Sequence, residues 1–203
     1  AATGTAYLVA RPEEAARLQA AGFALATVLP DLDAGPQEGA AGLDLGLYHT
    51  VTEARAELES LATRYPALCA LHVIGRSVEG RDILALKISD LPAEDDASEP
   101  DVLVMGCHHA REFMTVEVPL HLARTLLESY GISPQQTRLV DTRELWVVPL
   151  LNPDGHVYQE ILQAGPDWLP PGWRKNRRPN FDGSFGVDLN RNYSYGWGAD
   201  DNG

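Results

Sequence analysis

The sequence predicts an α/β layered domain with a largely buried sheet. Three observations carry that reading. A capped amphipathic helix opens the main body of the chain at Thr50. Short apolar runs of strand length follow it, and these runs then alternate with a second long amphipathic pattern.

Taken in order, residues 5–10 read as extended, Pro12 suits the first turn of a helix ending near Gly22, and residues 23–29 are apolar again. Such a strand, helix, strand unit is too small to fold alone. From residue 30 to residue 46 the composition shifts to Asp, Gly, Ala, Pro and Gln without periodicity, which reads as a linker. The expected organisation is therefore a small N-terminal segment plus linker, 1–46, followed by the main domain, 47–203.

Thr50-Val51-Thr52-Glu53 forms a capping box, because hydroxyl and carboxylate can each satisfy an orphan backbone N–H of the other residue. The stripe Val51, Ala54, Leu58, Leu61, Ala62 and Tyr65 then has helical spacing and stops at Pro66. Residues 70–74, 83–88 and 102–105 are predicted strands, the first two joined by the turn Glu79-Gly80-Arg81. The acidic stretch 94–101 lacks the alternating ligands and Gly of a calcium loop and reads as a solvated connection. A helix is predicted over 115–130, with Pro119 tolerated in or near its first turn, and a strand over 144–150. No internal repeat is visible.

The chain has 203 residues, enough for one domain or for a small domain plus part of a larger one. Sixteen basic residues against 29 acidic ones leave a net charge of −13, which argues against nucleic acid or an anionic membrane as a partner. The apolar runs are too short to cross a bilayer. Positive charge must therefore act locally. Cys69 and Cys107 are the only cysteines, allowing one disulfide at most and no thiolate zinc cage. The opening residues show no basic segment followed by an apolar one, so the expectation is that any secretory signal has been removed or never existed.

Four motifs carry chemistry. His108-His109-Ala110-Arg111-Glu112 follows the predicted strand ending at Met105, where α/β sheets place ligands. A His and a Glu three apart offer one neutral nitrogen and one anionic oxygen, donors that suit a catalytic zinc with an open position. Asn152-Pro153-Asp154-Gly155 reads as a tight turn after a strand. Trp173-Arg174-Lys175-Asn176-Arg177-Arg178 concentrates basic residues but lacks the aromatic interleaving and basic surround of a nucleic-acid patch. In Gly186-Val187-Asp188-Leu189-Asn190-Arg191-Asn192-Tyr193, a guanidinium flanked by amides suits a carboxylate held by paired hydrogen bonds. The Asn192-Tyr193-Ser194 sequon is read as a chance match.

In this order and arrangement the motifs resemble the zinc carboxypeptidases of the carboxypeptidase A and B type. With the lead-in Tyr48-His49-Thr50 and Arg76-Ser77-x-Glu79-Gly80-Arg81, the resemblance runs over residues 47–198. It implies a mixed central sheet flanked by helices, incomplete at its C-terminal side. It also implies an exopeptidase that binds peptide or protein C-termini and releases the last amino acid with the help of Zn2+. Carried over by position, His109 and Glu112 would be zinc ligands and His108 would not. Asp188 would orient His109, and Arg174 would stabilise the oxyanion. Asn190 and Arg191 would hold the terminal carboxylate, with Arg111 binding the peptide further along. Such enzymes are expected outside the cytoplasm.

The same resemblance calls for a third ligand, a His, and then a Tyr and a general-base Glu further downstream, none of which is in this sequence. His121, on an apolar-rich helix, and His156, after the Asn-Pro-Asp-Gly motif, do not match those positions. The expectation is an N-terminal portion of the catalytic domain, inactive alone, whose partner is the missing C-terminal part of the same domain. Two rival readings are a related zinc amidohydrolase acting on N-acyl amino acids and a non-catalytic module that binds peptide C-termini. Trp173-Arg174-Lys175 and the intact Asn-Pro-Asp-Gly argue against the first. A downstream sequence without a ligand His and a later Glu would favour the second.

Overall fold

A computed structural model of the chain describes residues 12–25, 45–164, 172–195 and 197. Two compact units divide the chain, Ala1–Leu32 and Asp33–Gly203, with the break inside the stretch read as a linker. In the first unit, helix α1 (Pro12–Ala20) opens on Pro12, where no N–H is needed, with Glu13 and Glu14 at the positive end of its dipole. It closes on Gly22 at φ 88°, with Phe23 N–H bonding to Leu18 O and Gly22 N–H to Gln19 O. The expected strand at 5–10 lies outside the described residues. The one at 23–29 is described only through residue 25, without strand structure.

The second unit begins with α2 (Val51–Arg64). Its capping box is formed as expected: Glu53 N–H bonds to Thr50 Oγ1 at 3.2 Å, and Thr50 N–H bonds to Glu53 Oε2 at 2.9 Å. The helix stops at Tyr65 because Pro66 disfavours helical geometry in the residue before it. Strands β1 (Cys69–Arg76) and β2 (Asp82–Ile88) form an antiparallel hairpin with a register shift between Val73 and Gly75. The turn between them uses Gly80 at φ 84°, a region open to glycine. Strand β3 (Asp101–Met105), α3 (Met114–Ser129), α4 (Pro134–Val140), β4 (Glu144–Val148) and α5 (Pro153–Ala164) follow.

The sheet order is β1-β2-β4-β3, with β4 antiparallel to β2 and parallel to β3. It is the mixed open sheet that was expected. A parallel pair needs a crossover, and α3 and α4 supply it between β3 and β4. Ile88 stands opposite Leu145, and Leu86 opposite Val147. The period of two puts all four side chains on one face. There they join Leu58 and Leu61 of α2 and Val116, Leu120 and Leu127 of α3 in one buried cluster. Each such side chain contributes about 1.5–3 kcal/mol on burial. β3 lies at an edge, and its Leu103 is 56% exposed.

Two buried charges tie the acidic loop to the sheet. Lys87 Nζ lies 2.6 Å from Glu144 Oε1, with both side chains almost fully buried, and Asp96 N–H bonds to the same oxygen at 2.9 Å. Lys87 also donates to Glu94 O. The hydrogen bonds from Lys87 and Asp96 hold the Glu144 carboxyl below its usual range. Residues 94–101 are mostly exposed, but they are anchored at this point.

Three local readings need correction. Asn152-Pro153-Asp154-Gly155 is not a free-standing turn: it starts α5, with Asn152 Oδ1 accepting Gly155 N–H at 3.0 Å. Asn is a strong N-cap and Pro suits the first helical position, so the signal was present but its turn-like residue types hid it. Helix α4 went unread despite Ser133-Pro134, because seven residues give little periodicity. Pro119 sits in the second turn of α3, and there it removes a bond to Thr115 O. Among the described residues, no helix is long and apolar enough to cross a membrane.

Candidate metal centre

The site is built where β3 runs out. Gly106 continues the parallel pairing through Gly106 N–H to Val148 O and Leu151 N–H to Gly106 O. A Cβ at Gly106 would stand 2.0 Å from Thr115 O, the carbonyl left without its helical donor by Pro119. Glycine is therefore required where the strand passes the start of α3. Cys107 follows in the left-handed region at φ 51°, fully buried, its N–H bonded to Thr115 Oγ1. A non-glycine residue there costs about 1–3 kcal/mol and must be held by its surroundings. This bend delivers His109.

His109 is 5% exposed, and both ring nitrogens face carboxylates. Nδ1 lies 2.9 Å from Glu112 Oε1 and Nε2 lies 3.0 Å from Asp188 Oδ1. The Glu112 contact is made within one turn, closed by Glu112 N–H to His109 O. The Asp188 contact crosses 79 residues of sequence. Asp188 in turn receives Arg174 Nε on Oδ2 at 2.8 Å, and its Oδ1 accepts Asn190 N–H at 3.0 Å, capping the 3-10 turn Leu189–Arg191. Burial acts to raise the Asp188 carboxyl, but the hydrogen bonds from Arg174, His109 and Asn190 outweigh it and hold the group below its usual range.

Other side chains lock the segments together. Asn152 Nδ2 donates to His108 O and to Lys175 O, both at 3.1 Å, and Ala110 N–H bonds to Arg174 O. Gly155 must be glycine because a Cβ would meet Lys175 O at 2.5 Å. Asp154, 2% exposed, accepts Ser77 Oγ, Glu79 N–H and Arg81 Nη1, binding the β1–β2 turn to α5. Gln159 Oε1 accepts the N–H groups of Gly172 and Trp173. Arg177 is buried with its guanidinium 3.8 Å from the Tyr158 ring centre and close to Trp173 and Phe185. The basic cluster is thus used locally: Arg174 on Asp188, Arg177 among aromatic rings.

Of the residues singled out from sequence, His109, Glu112, Asp188 and Arg174 form one connected group. Asn190 and Arg191 lie on the adjoining turn and are exposed, with Arg191 Nη1 donating to Asn190 O at 3.0 Å. Arg111, also exposed, reaches Gly172 O at 3.4 Å. His108 is not in the group; its Nε2 contacts Tyr193 Oη at 2.6 Å. His121 is exposed on α3 next to Thr125, and His156 is fully buried with Nε2 on His49 O at 3.1 Å. Asn152, Asp154, Gln159 and Arg177 had no assigned role in the sequence reading. Asn152, Asp154 and Arg177 stood inside motifs singled out from the sequence, whereas nothing local distinguishes Gln159. Cys69 and Cys107 are free thiols, pushed up by burial to about 11 and about 12.

The donor set fits a zinc ion in part. Zinc bonds to His nitrogen and carboxylate oxygen at about 2.0–2.2 Å, so a tetrahedral pair of donors stands roughly 3.4 Å apart. His109 Nδ1 and Glu112 Oε1, at 2.9 Å, need to open by only roughly 0.5 Å to meet that. The Asp188 contact supplies the carboxylate that metal-bound His rings characteristically hold on their other nitrogen. Among the described residues no group of three His, Cys, Asp or Glu side chains converges, so the pair could supply at most two of the usual three ligands.

Known proteins are similar to this chain in sequence and in fold. A "Zinc carboxypeptidase" of Saccharothrix mutabilis subsp. capreolus is 38% identical over 205 residues, covering 95% of this chain and 45% of that protein. A Saccharomyces cerevisiae protein named an inactive metallocarboxypeptidase is 33% identical over 141 residues, covering 69% of this chain and 31% of that one. Among solved structures, carboxypeptidase A from Helicoverpa armigera superposes with a TM-score of 0.63 at 32% identity, over 74% of this chain and 35% of its own. The chain spans less than half the length of these relatives. Residues 54–203 match the family described as zinc carboxypeptidase, and the chain belongs to that family.

Proposed function

We propose that the protein carrying this chain is a zinc-dependent exopeptidase that releases C-terminal amino acids from peptides. The observation that carries the reading is His109 held between Glu112 and Asp188, with Arg174 on the same carboxylate. In this reading His109 Nδ1 and Glu112 hold the ion together with a ligand from elsewhere in the protein. When bound, the ion supplies Lewis acidity and a water-derived nucleophile at neutral pH.

The chain's own residues do the rest. Asp188 keeps the proton of His109 on Nε2, leaving Nδ1 as a lone-pair donor. Arg174 spends Nε on Asp188, so the other N–H groups of its guanidinium remain to meet negative charge developing on the scissile carbonyl oxygen. Asn190 and Arg191 grip the substrate's terminal carboxylate through paired hydrogen bonds, which selects the last residue of a chain. Arg111 binds the peptide upstream of the cleaved bond.

The test is hydrolysis by the whole protein of hippuryl-type peptides beside N-acyl amino acids, before and after chelation and zinc restoration. Zinc-restored cleavage of the peptides is the expected result. Preference for the acyl amino acids would favour the amidohydrolase reading, and tight peptide binding without turnover would favour the non-catalytic one. Residues 1–203 alone are expected to be inactive, since two protein ligands fall short of a catalytic zinc site.

A further inference from the structure

Arg174 is tied through its side chain to Asp188, but its backbone is placed from both sides by other segments. On the C-terminal side, Lys175 O accepts Asn152 Nδ2, and Arg174 O itself accepts Ala110 N–H. On the N-terminal side the chain arrives through Gly172, in the left-handed region at φ 101°. There the N–H groups of Gly172 and Trp173 converge on a single atom, Gln159 Oε1 of α5, at 3.2 and 2.7 Å. Two donors aimed at one point identify the facing atom as the amide oxygen. Gln159 is 1% exposed, and the ring of its neighbour Tyr158 packs edge-to-face with Trp173 at 5.0 Å between centres.

This arrangement does more than satisfy two backbone donors. A glycine two residues before Arg174 gives the chain freedom to rotate the peptide that follows it, and such a rotation would carry the Arg174 backbone with it. Two bonds to one buried oxygen remove that freedom. Gly172 O also accepts Arg111 Nη1 at 3.4 Å, so the same stretch stands between the two guanidiniums assigned to the substrate. An apolar side chain at 159 could fill the space, but it would leave both N–H groups without an acceptor and the stretch free to turn.

We propose that Gln159 is a positioning residue of the hydrolytic site: by holding Gly172 and Trp173, its amide oxygen sets the direction in which the Arg174 guanidinium meets the reacting carbonyl. Gln159 touches neither substrate nor metal and acts through Arg174. The inference rests on the oxyanion role given to Arg174 and extends it to the residue that aims it.

The test combines steady-state kinetics on a hippuryl peptide with NMR measurement of hydrogen exchange at Arg174 Nε–H, in the whole protein labelled with 15N-arginine. Gln159→Leu removes the acceptor at similar volume. Its kcat should fall about 10- to 100-fold while KM moves much less, because a misaimed group loses transition-state stabilisation before it loses binding. Exchange at Arg174 Nε–H should quicken at least about tenfold. Gln159→Glu keeps an oxygen of the same reach, ionised or not, and should recover most of the turnover, whereas Gln159→Asn, one methylene shorter, should not. In an Arg174→Ala background, Gln159→Leu should lower kcat by less than about twofold, since the group it aims is gone. Additive losses in that pair, wild-type kcat in Gln159→Leu, unchanged exchange at Arg174 Nε–H, or Gln159→Asn as active as Gln159→Glu would each overturn the proposal. If Gln159→Leu does not fold, the Glu and Asn variants carry the same comparison. Wild-type kcat in Arg174→Ala alone would remove the oxyanion role instead, and the exchange rate would still decide whether Gln159 holds Arg174 in place.

Discussion

Asp188 Oδ1 stands 3.0 Å from His109 Nε2 across 79 residues of sequence. The other oxygen of Asp188 holds Arg174 Nε at 2.8 Å. One carboxylate therefore holds two groups of opposite use in the proposed reaction: an imidazole whose other nitrogen would donate a lone pair to the ion, and a guanidinium whose remaining N–H groups would meet an anion. Because the same side chain also caps the turn carrying Asn190 and Arg191, a shift of Asp188 would disturb every part of the site at once.

Asp188→Asn tests that coupling. An amide oxygen can still accept from His109, but the amide NH2 cannot accept from Arg174. Zinc affinity of the whole protein should fall about 10- to 100-fold. A competition titration against a chromophoric chelator measures it, and unchanged affinity would remove Asp188 from the metal centre.

Arg174→Ala should act on turnover. With one oxyanion donor lost, kcat is expected to fall about 10²- to 10³-fold while KM moves much less. Steady-state kinetics of the whole protein on a hippuryl peptide separate the two. A variant that keeps wild-type kcat is incompatible with the role given to this guanidinium.

Asn152 should matter for stability through three bonds. Asn152→Ala removes the cap of α5 and leaves His108 O and Lys175 O without their donor, costing about 2–4 kcal/mol in urea unfolding. Asn152→Asp keeps the cap but sets a negative oxygen against two carbonyls. It should rescue little, and full rescue would show that capping alone explains the position.

Gly106→Ala should be among the most damaging single changes, at about 3–5 kcal/mol, because the new methyl would stand 2.0 Å from backbone Thr115 O. If its urea midpoint matched the wild type, the strand and α3 would have to separate more easily than their packing indicates.

Glu160 gives a pH dependence. It is 1% exposed, accepts Val51 N–H at the start of α2, and is raised by burial from 4.5 to about 7. A carboxyl with a raised folded-state value contributes its stability fully below about 4.5, and that contribution is lost as pH rises through about 7. The loss amounts to about 3 kcal/mol. Glu160→Gln preserves the acceptor and removes the titration, so its stability should decline less than the wild type's between those values. Parallel curves in chemical unfolding from pH 4 to pH 8 would contradict this.

Much of the fold was legible because its signals are local. The Thr50/Glu53 capping box, the stop at Pro66 and the apolar runs of β1 to β4 depend on neighbours within a few residues, and each element lies close to its predicted place. What failed was context. The start of α5 resembled a turn because Gly155 is a poor helix residue, and only its contact with Lys175 O explains why glycine is there. The short α4 had too little periodicity to register against its Pro.

The sequence by itself determined which donors exist: a His and a Glu three residues apart, an Asp two residues before an Asn-Arg pair, and a run of basic residues in an acidic chain. Spacing of three or four residues is enough for that, because helical and turn geometry are fixed by the backbone. The resemblance named Asp188 and Arg174, but only the tertiary structure brings Asp188 against both His109 and Arg174, buries Arg177 among rings and makes Asn152 the link between three segments. Those contacts join residues far apart in the chain, and their partners are chosen by packing of the whole domain, on which local propensity has no bearing.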